Sequence, residues 1–340
     1  FSVLVEVTWG LGGFLLYFIG IKIVGADRIG VGTFLAFSSY LGMFWNPIRN
    51  LASFYNKIVT NISAAERIFD ILDTPSEITD HEGAQPLPQI RGAVEFSHVS
   101  FAYTDEPDRL VLSDVSFQVQ PGETIALVGP TGAGKTTIVN LISRFYDVTA
   151  GQILIDGHSI SDVTLKSLRS QMGVMTQDTF LFTGTVRENI CYGRGKATEE
   201  EMIAAAKAVN AHNFIMKMEK GYDTQISEHS SQLSIGQRQL LAFARTILSD
   251  PRILILDEAT SSIDTHTERM VQEGIEAMIK GRTSFIIAHR LSTIRNADRI
   301  FYIDHQGIVE MGSHAELMKK RGAYYRLYRS QYDFLAEPAV

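Results

Sequence analysis

Two uncharged stretches open the chain. Val7 to Ile21 holds no Asp, Glu, Lys or Arg, and neither does Ile29 to Ile48. The second run is 20 residues long, about what a helix needs to cross a ~30 Å hydrocarbon core. Lys22 to Arg28, punctuated by Gly25 and Asp27, reads as the short turn between them. Trp9, Tyr17, Tyr40 and Trp45 fall toward the ends and flanks of the runs, a loose form of an interfacial aromatic belt. The pattern predicts a membrane hairpin. Past Ile48 the apolar period stays helical (Leu51, Phe54, Tyr55, Ile58, Ile62, Ala65, Ile68, Phe69, Leu72) while Arg49, Lys57 and Arg67 bring charge back. This predicts one helix that leaves the bilayer and continues into water, with its cationic end on the cytoplasmic side by the positive-inside rule. A lone hairpin encloses no pathway, so the reading expects the C-terminal part of a longer chain.

Thr74 to Arg91 loses all periodicity and collects Pro75, Gly83, Pro86 and Pro88, the composition of a linker. From Gly92 on, short apolar runs predict strands. Val94 to Phe101 and Val115 to Val119 alternate in part, which suggests an antiparallel piece. Thr124 to Val128, Ile153 to Ile155, Gly173 to Met175, Ile253 to Leu256 and Ser284 to Ala288 read as buried strands. Helical stretches separate them, among them Thr198 to Val209, Ile235 to Leu248 and His266 to Ile279. Strand and helix in alternation predict a layered α/β fold.

Composition then removes some readings. The net charge of −7 over 340 residues gives no basic footprint for nucleic acid. One cysteine, Cys191, forms no internal disulfide and suits a reducing compartment.

The chemistry sits in two motifs. Gly129-Pro130-Thr131-Gly132-Ala133-Gly134-Lys135-Thr136 follows the strand ending at Val128 and opens a helix, the context of a P-loop. Glycines leave backbone N–H groups free to curl around phosphate oxygens, and the helix N-terminus adds partial positive charge. Lys135 offers a point charge to the β- and γ-phosphates, and the Thr136 hydroxyl can ligate Mg²⁺. In the second motif, Ile253 to Leu256 delivers Asp257 and Glu258 to the end of a buried strand, where α/β sheets place ligands. Asp257 suits the Mg²⁺ shell, and Glu258 suits the water that attacks the γ-phosphate.

With these motifs behind a membrane hairpin, the chain resembles an ATP-binding-cassette (ABC) exporter in which a membrane domain precedes its nucleotide-binding domain. The resemblance covers essentially the whole chain. It implies an α-helical transmembrane segment in residues 1–73, the last two membrane helices and a cytoplasmic extension, then a linker in 74–91. Residues 92–335 would form an α/β P-loop NTPase domain of ABC type with an antiparallel β subdomain and a helical subdomain. ATP and Mg²⁺ are the implied cofactors. Gly129, Thr131, Gly132, Gly134, Lys135, Thr136 and Thr137 would hold the phosphates. Tyr103 in "FAY" matches the aromatic that stacks on adenine, and Gln177 in "MTQD" matches the glutamine at Mg²⁺ and the attacking water. "FLFTGTVRENI" matches the surface that receives cytoplasmic loops. Asp264 ends the loop that crosses to the partner, and His289 in "IIAHRLST" matches the γ-phosphate histidine. The resemblance further implies a multi-pass protein of the cytoplasmic membrane, in contact with its lipids, with this domain in the cytoplasm. A second half-transporter, a small amphipathic transport substrate and no nucleic acid complete the expected partners.

One position departs from the pattern. Leu233 to Gln237 aligns with the family signature Leu-Ser-Gly-Gly-Gln, in which Ser234, Gly236 and Gln237 cap the ATP of the partner subunit. Ile235 replaces the first signature glycine, and Ser227 to Ser230 depart from the usual run upstream. A branched side chain restricts the backbone and fills space beside a phosphate. An altered signature beside an intact Glu258 resembles one half of a heterodimeric exporter whose partner has a normal signature and a substituted base. A homodimer that tolerates Ile235 is the alternative. A soluble cassette ATPase would carry long heptad-rich coiled coils, and none is present. Glu258 and His289 argue against a channel or regulatory subunit without a hydrolytic cycle.

Overall fold

The computed structural model describes residues 2–25, 30–176, 180–227, 233–257, 265–288 and 291–332. The chain divides into two units, Phe1–Glu77 and Ile78–Val340.

The first unit is helical. α1 (Ser2–Tyr17) runs on through a π-helical stretch, Phe18–Gly25, and α2 spans Val31–Asp73. Lys22 and Gly25 therefore lie in helix, not in the expected turn, because Phe18, Ile19, Ile21, Ile23 and Val24 keep the stretch apolar on both sides of the lysine. Among the described residues, one continuous helix, Val3–Gly25, is long and apolar enough to cross a membrane. The second uncharged run is less apolar, since Ser38, Ser39, Asn46 and Pro47 dilute it. The expected passage of one helix from apolar to charged sequence is what α2 does. It passes Pro47 unbroken and reaches 43 residues, about 65 Å at the helical rise.

The second unit is layered. β1 (Val94–Ala102), β2 (Leu110–Val119), β4 (Ala150–Ile155) and β5 (His158–Ser159) form an antiparallel sheet in the order β2-β1-β4-β5. β3 (Thr124–Val128), β6 (Met172–Met175), β9 (Ile253–Asp257), β10 (Thr283–Ile287), β11 (Arg299–Asp304) and β12 (Gly307–Gly312) form a six-stranded sheet, order β12-β11-β3-β10-β9-β6, parallel except for the β11–β12 hairpin. β3 and β10 are buried at every position, the pattern of a parallel sheet covered on both faces. β7 (Gly184–Thr185) pairs with β8 (Gln225–Ile226).

Helices α3 (Lys135–Ile142), α4 (Leu165–Arg169), α5 (Val186–Cys191), α6 (Glu199–Ala208), α7 (His212–Ile215), α8 (Ile235–Ser249), α9 (Thr265–Ile279), α10 (Leu291–Asn296), α11 (His314–Lys320) and α12 (Ala323–Tyr332) complete the unit. One core lies between the two sheets around Phe96, Phe117, Leu127 and Phe301. The other joins the six-stranded sheet to α5, α6 and α8 through Ile190, Ala206, Leu240 and Leu241.

The segment expected as a linker, Thr74 to Arg91, divides. From Ile78 on it belongs to the second unit, where Leu87 and Ile90 are buried and its polar groups have fixed partners. The Leu87 N–H donates to Ser167 Oγ at 2.8 Å and the Ile90 N–H to Gln171 Oε1 at 2.9 Å.

Candidate active site

Parallel strands end on one side of their sheet, and this brings the motifs together. Register pairs Ile287 of β10 with both Leu127 of β3 and Asp257 of β9, and Met175 of β6 with Leu256. The P-loop, Asp257 and the chain leading from β6 and β10 thus emerge from the same sheet edge, the edge where α/β sheets bind ligands.

At the P-loop the glycines have distinct reasons. Gly129 has φ +154°, and a Cβ there would collide with the Ile303 carbonyl oxygen. Gly134 has φ +100° and sits at the N-cap of α3, where no side chain caps the helix. A capping Ser or Asp would occupy the N–H groups of the first turn, and a glycine leaves them for a ligand. Gly132 has φ +80° and open space where its Cβ would stand.

Lys135 Nζ donates to the carbonyls of Gly129 and Pro130, both at 2.8 Å. Burial lowers the Lys135 pKa below the ordinary lysine value, and the nearby Asp257 carboxylate partly offsets this. Thr136 is exposed, while Thr137 is buried and bonds Tyr103 across 34 residues, hydroxyl to hydroxyl at 3.0 Å. The Tyr103 ring meets Tyr146 edge to face at 5.1 Å and Phe101 at 4.9 Å. These contacts fix an aromatic ring beside the phosphate loop.

The result is a cleft of about 740 Å³ that takes in Tyr103, Thr131, Gly132, Gly134, Lys135, Thr136, Thr137 and Asp257. Its lining brings an aromatic ring, Tyr103, together with the phosphate-loop motif. Asp105, Arg109, Ile287, Asp304, His305 and Gln306 also line it, and sequence reasoning missed them. For the last three, the Asp-His-Gln-Gly stretch between two apolar runs was a readable hairpin turn. Its lining of the cleft follows only from the pairing of β11 with β3.

Gln177, Glu258, Asp264 and His289 lie outside the described residues; the strands that lead to Gln177, Glu258 and His289 are the ones that meet at this edge. Ser234, Gly236 and Gln237 do not line the cleft. They start α8, where Ser234 is the N-cap. Its Oγ accepts the Gln237 N–H at 3.2 Å, and Gln237 Oε1 accepts the Ser234 N–H at 3.0 Å. That reciprocal pair is a capping box. Ile235 is the first residue of the helix, with its side chain 50% exposed. It is not among the residues of positive φ, so the substitution adds bulk at the surface and no backbone strain.

The ABC transporter family matches residues 112–261, from β2 through the P-loop and β9. Relatives extend the likeness to the helical unit. An uncharacterized ABC transporter ATP-binding protein, YknV of Bacillus subtilis (strain 168), is 47% identical over 337 residues, 99% of this chain and 56% of its own length. Residues 112–261 belong to the ABC transporter family. An ATP-dependent lipid A-core flippase of Syntrophus aciditrophicus (strain SB) is 48% identical over 332 residues, 97% of this chain and 55% of its own. A bacterial Atm1-family ABC exporter, solved with ATP bound, superposes with a TM-score of 0.74 at 37% identity and covers all of this chain and 58% of that one. The chain spans about half the length of the curated relatives it matches.

An ABC domain takes ATP with Mg²⁺, and the cleft suits both. The uncapped α3 N-terminus, with its first-turn N–H groups left open at Gly134, forms a cradle for anionic oxygens. The Thr136 hydroxyl and the Asp257 carboxylate are hard oxygen donors of the kind Mg²⁺ accepts.

Proposed function

We propose that this chain works in an ATP-driven exporter of amphipathic, lipid-like molecules at the cytoplasmic membrane, as a multi-pass half-transporter beside a second one. The observation that carries the proposal is the cleft that joins Tyr103, the P-loop and Asp257. Tyr103 stacks the base and Lys135 moves from the loop carbonyls to the phosphates. Thr136, Asp257 and Gln177 would hold Mg²⁺, which offsets phosphate charge when bound. Glu258 accepts the proton of the attacking water and His289 steadies the γ-phosphate. Asp264 and the signature residues would serve the partner's ATP.

We further read the pair as unequal. Ile235 adds a branched, half-exposed side chain at the helix end that would cap the partner's ATP, so the site it caps holds ATP and the site containing Glu258 turns over. One observation favours the homodimer instead: Ile235 sits in ordinary helical backbone and the Ser234–Gln237 capping box is intact. ATPase assays on the full-length chain separate the readings. Glu258→Gln should keep ATP binding and collapse turnover, because Gln cannot accept the proton; turnover near the parent rate removes Glu258 from the role. In the unequal pair the chain needs its partner for ATPase, and Ile235→Gly leaves the rate nearly unchanged. Robust ATPase from the chain purified alone means a homodimer.

A further inference from the structure

The geometry points to Arg144 as a positioning residue that ties α3 to the connector that follows α2. We propose that the strap formed by residues 79–93 transmits the nucleotide state to α2. This rests on the ATP-driven reading above.

Arg144 stands two residues past the end of α3. The Arg144 N–H bonds the Leu141 carbonyl and the Phe145 N–H bonds the Asn140 carbonyl, the closing pattern of a helix C-terminus. The position is left-handed, with φ +48°. Glycine is the usual residue there, so a strained arginine signals that its side chain has a task.

That side chain is 4% exposed. Nε donates to Asp147 Oδ1 at 2.8 Å, and the guanidinium reaches the carbonyls of Ile160 at 3.1 Å, Val163 at 3.2 Å and Thr79 at 3.3 Å. Thr79 is the sixth residue after α2 ends. An eight-residue helix, about 12 Å long, therefore has the P-loop at one end and grips the connector at the other. Arg169 braces this end by donating to the carbonyls of Ser143 at 3.3 Å and Arg144 at 2.7 Å.

The strap is held beyond that grip. Asp80 Oδ1 accepts the Leu165 N–H at 2.7 Å, and Gln85 bridges to Val163. Gln171 accepts from Ile90 N and donates to the Pro88 carbonyl, each at 2.9 Å. Gln171 directly precedes β6, the strand that leads to Gln177. The strap is thus tied to α3, which follows the P-loop, and to β6, which ends at the same sheet edge. A packed two-ended element of this kind carries coupling only if both sites bias it, which can be measured.

The test uses the full-length protein, with its co-purifying partner, in lipid nanodiscs and in a Cys191→Ser background. A nitroxide at Ser63→Cys reports α2 by EPR, and ATP affinity is read separately. Arg144→Lys keeps the charge and loses the planar fork. ATP affinity should stay within about threefold of the parent, while the spectral response to ATP plus orthovanadate falls about threefold or more. Asp80→Asn, on the exposed side of the strap, should act in the same direction to a smaller extent and carries the test if Arg144→Lys does not fold. A response that falls only in step with ATP occupancy, or not at all, overturns the proposal. A parent that binds no ATP overturns the functional reading instead, an outcome the variants cannot imitate.

Discussion

Helices α3 and α8 both begin at glycine-containing stretches that could serve a phosphate, and they begin differently. α3 starts at Gly134 in left-handed backbone, with no side-chain cap and Lys135 beside it. α8 starts at Ser234 in extended backbone, closed by the reciprocal Ser234–Gln237 bonds. The first leaves its N–H groups to a ligand, and the second has used one of them on itself. A capped end still has something to give, because a Ser hydroxyl that accepts one bond keeps its own proton to donate. On the function proposed above, the difference would separate a seat from a lid: α3 leaves its first turn open for phosphate within this chain, and α8 closes its own first turn.

Substitutions break this comparison unequally. The largest effect should come at Gly129, where alanine collides with the Ile303 carbonyl. Gly129→Ala should cost about 3 kcal/mol or more in stability, or displace the P-loop and abolish ATP binding. Gly132→Ala has open space and should cost only the left-handed backbone, about 1–2 kcal/mol. Thermal melts with and without ATP distinguish them, and equal losses at both positions would contradict the steric account.

Tyr103→Ala should weaken ATP binding by about 1–3 kcal/mol if its ring stacks on the base. Tyr103→Phe keeps the ring, loses the bond to Thr137 and should cost about 0.5–1.5 kcal/mol in stability. Titration calorimetry checks the first and chemical denaturation the second. Identical ATP affinities for Ala and Phe would reduce Tyr103 to packing.

At α8, Ser234→Ala removes the cap and should lower stability by about 1 kcal/mol, whereas Ser234→Thr should be nearly neutral. Denaturant midpoints read this directly. Ser234→Arg is a less clean probe of the signature, since it also breaks the capping box.

The smallest effect is in pH. Burial lowers the Lys135 pKa, so between that lowered value and the ordinary lysine value the unfolded chain binds more protons than the folded one. Ligand-free stability should therefore rise with pH across this window, while ATP affinity falls as the charge that faces phosphate is lost. Parallel slopes, or slopes absent from the parent and unchanged in Lys135→Met, would remove Lys135 from the account.

Much of the seat was legible in sequence because it is local. Glycine spacing, a preceding apolar strand and Lys-Thr at the helix start specify a loop whose geometry depends little on the rest of the chain. The capping box at Ser234 and Gln237 was equally local, yet the family signature drew attention to Ile235 and away from it. Tyr103 needed the fold, since its partner Thr137 is 34 residues away. The strap was illegible for the same reason. Arg144, Asp80 and Gln171 are ordinary polar residues until pairing across 65 to 85 positions gives each a partner. The second uncharged run is less apolar than the first helix, because freedom from charge is a weaker criterion than mean apolarity, and Ser38, Ser39, Asn46 and Pro47 separate the two.

The most direct measurement is ATP binding by the full-length chain, kept dilute and separated from any partner, for Lys135→Ala beside Ser234→Ala. The account predicts that Lys135→Ala weakens ATP binding roughly tenfold to a hundredfold, as expected for lost bonds to a charged group, while Ser234→Ala leaves it within about threefold of the parent. Equal losses, or a loss at Ser234 with Lys135→Ala unaffected, would contradict the assignment of the nucleotide seat to α3.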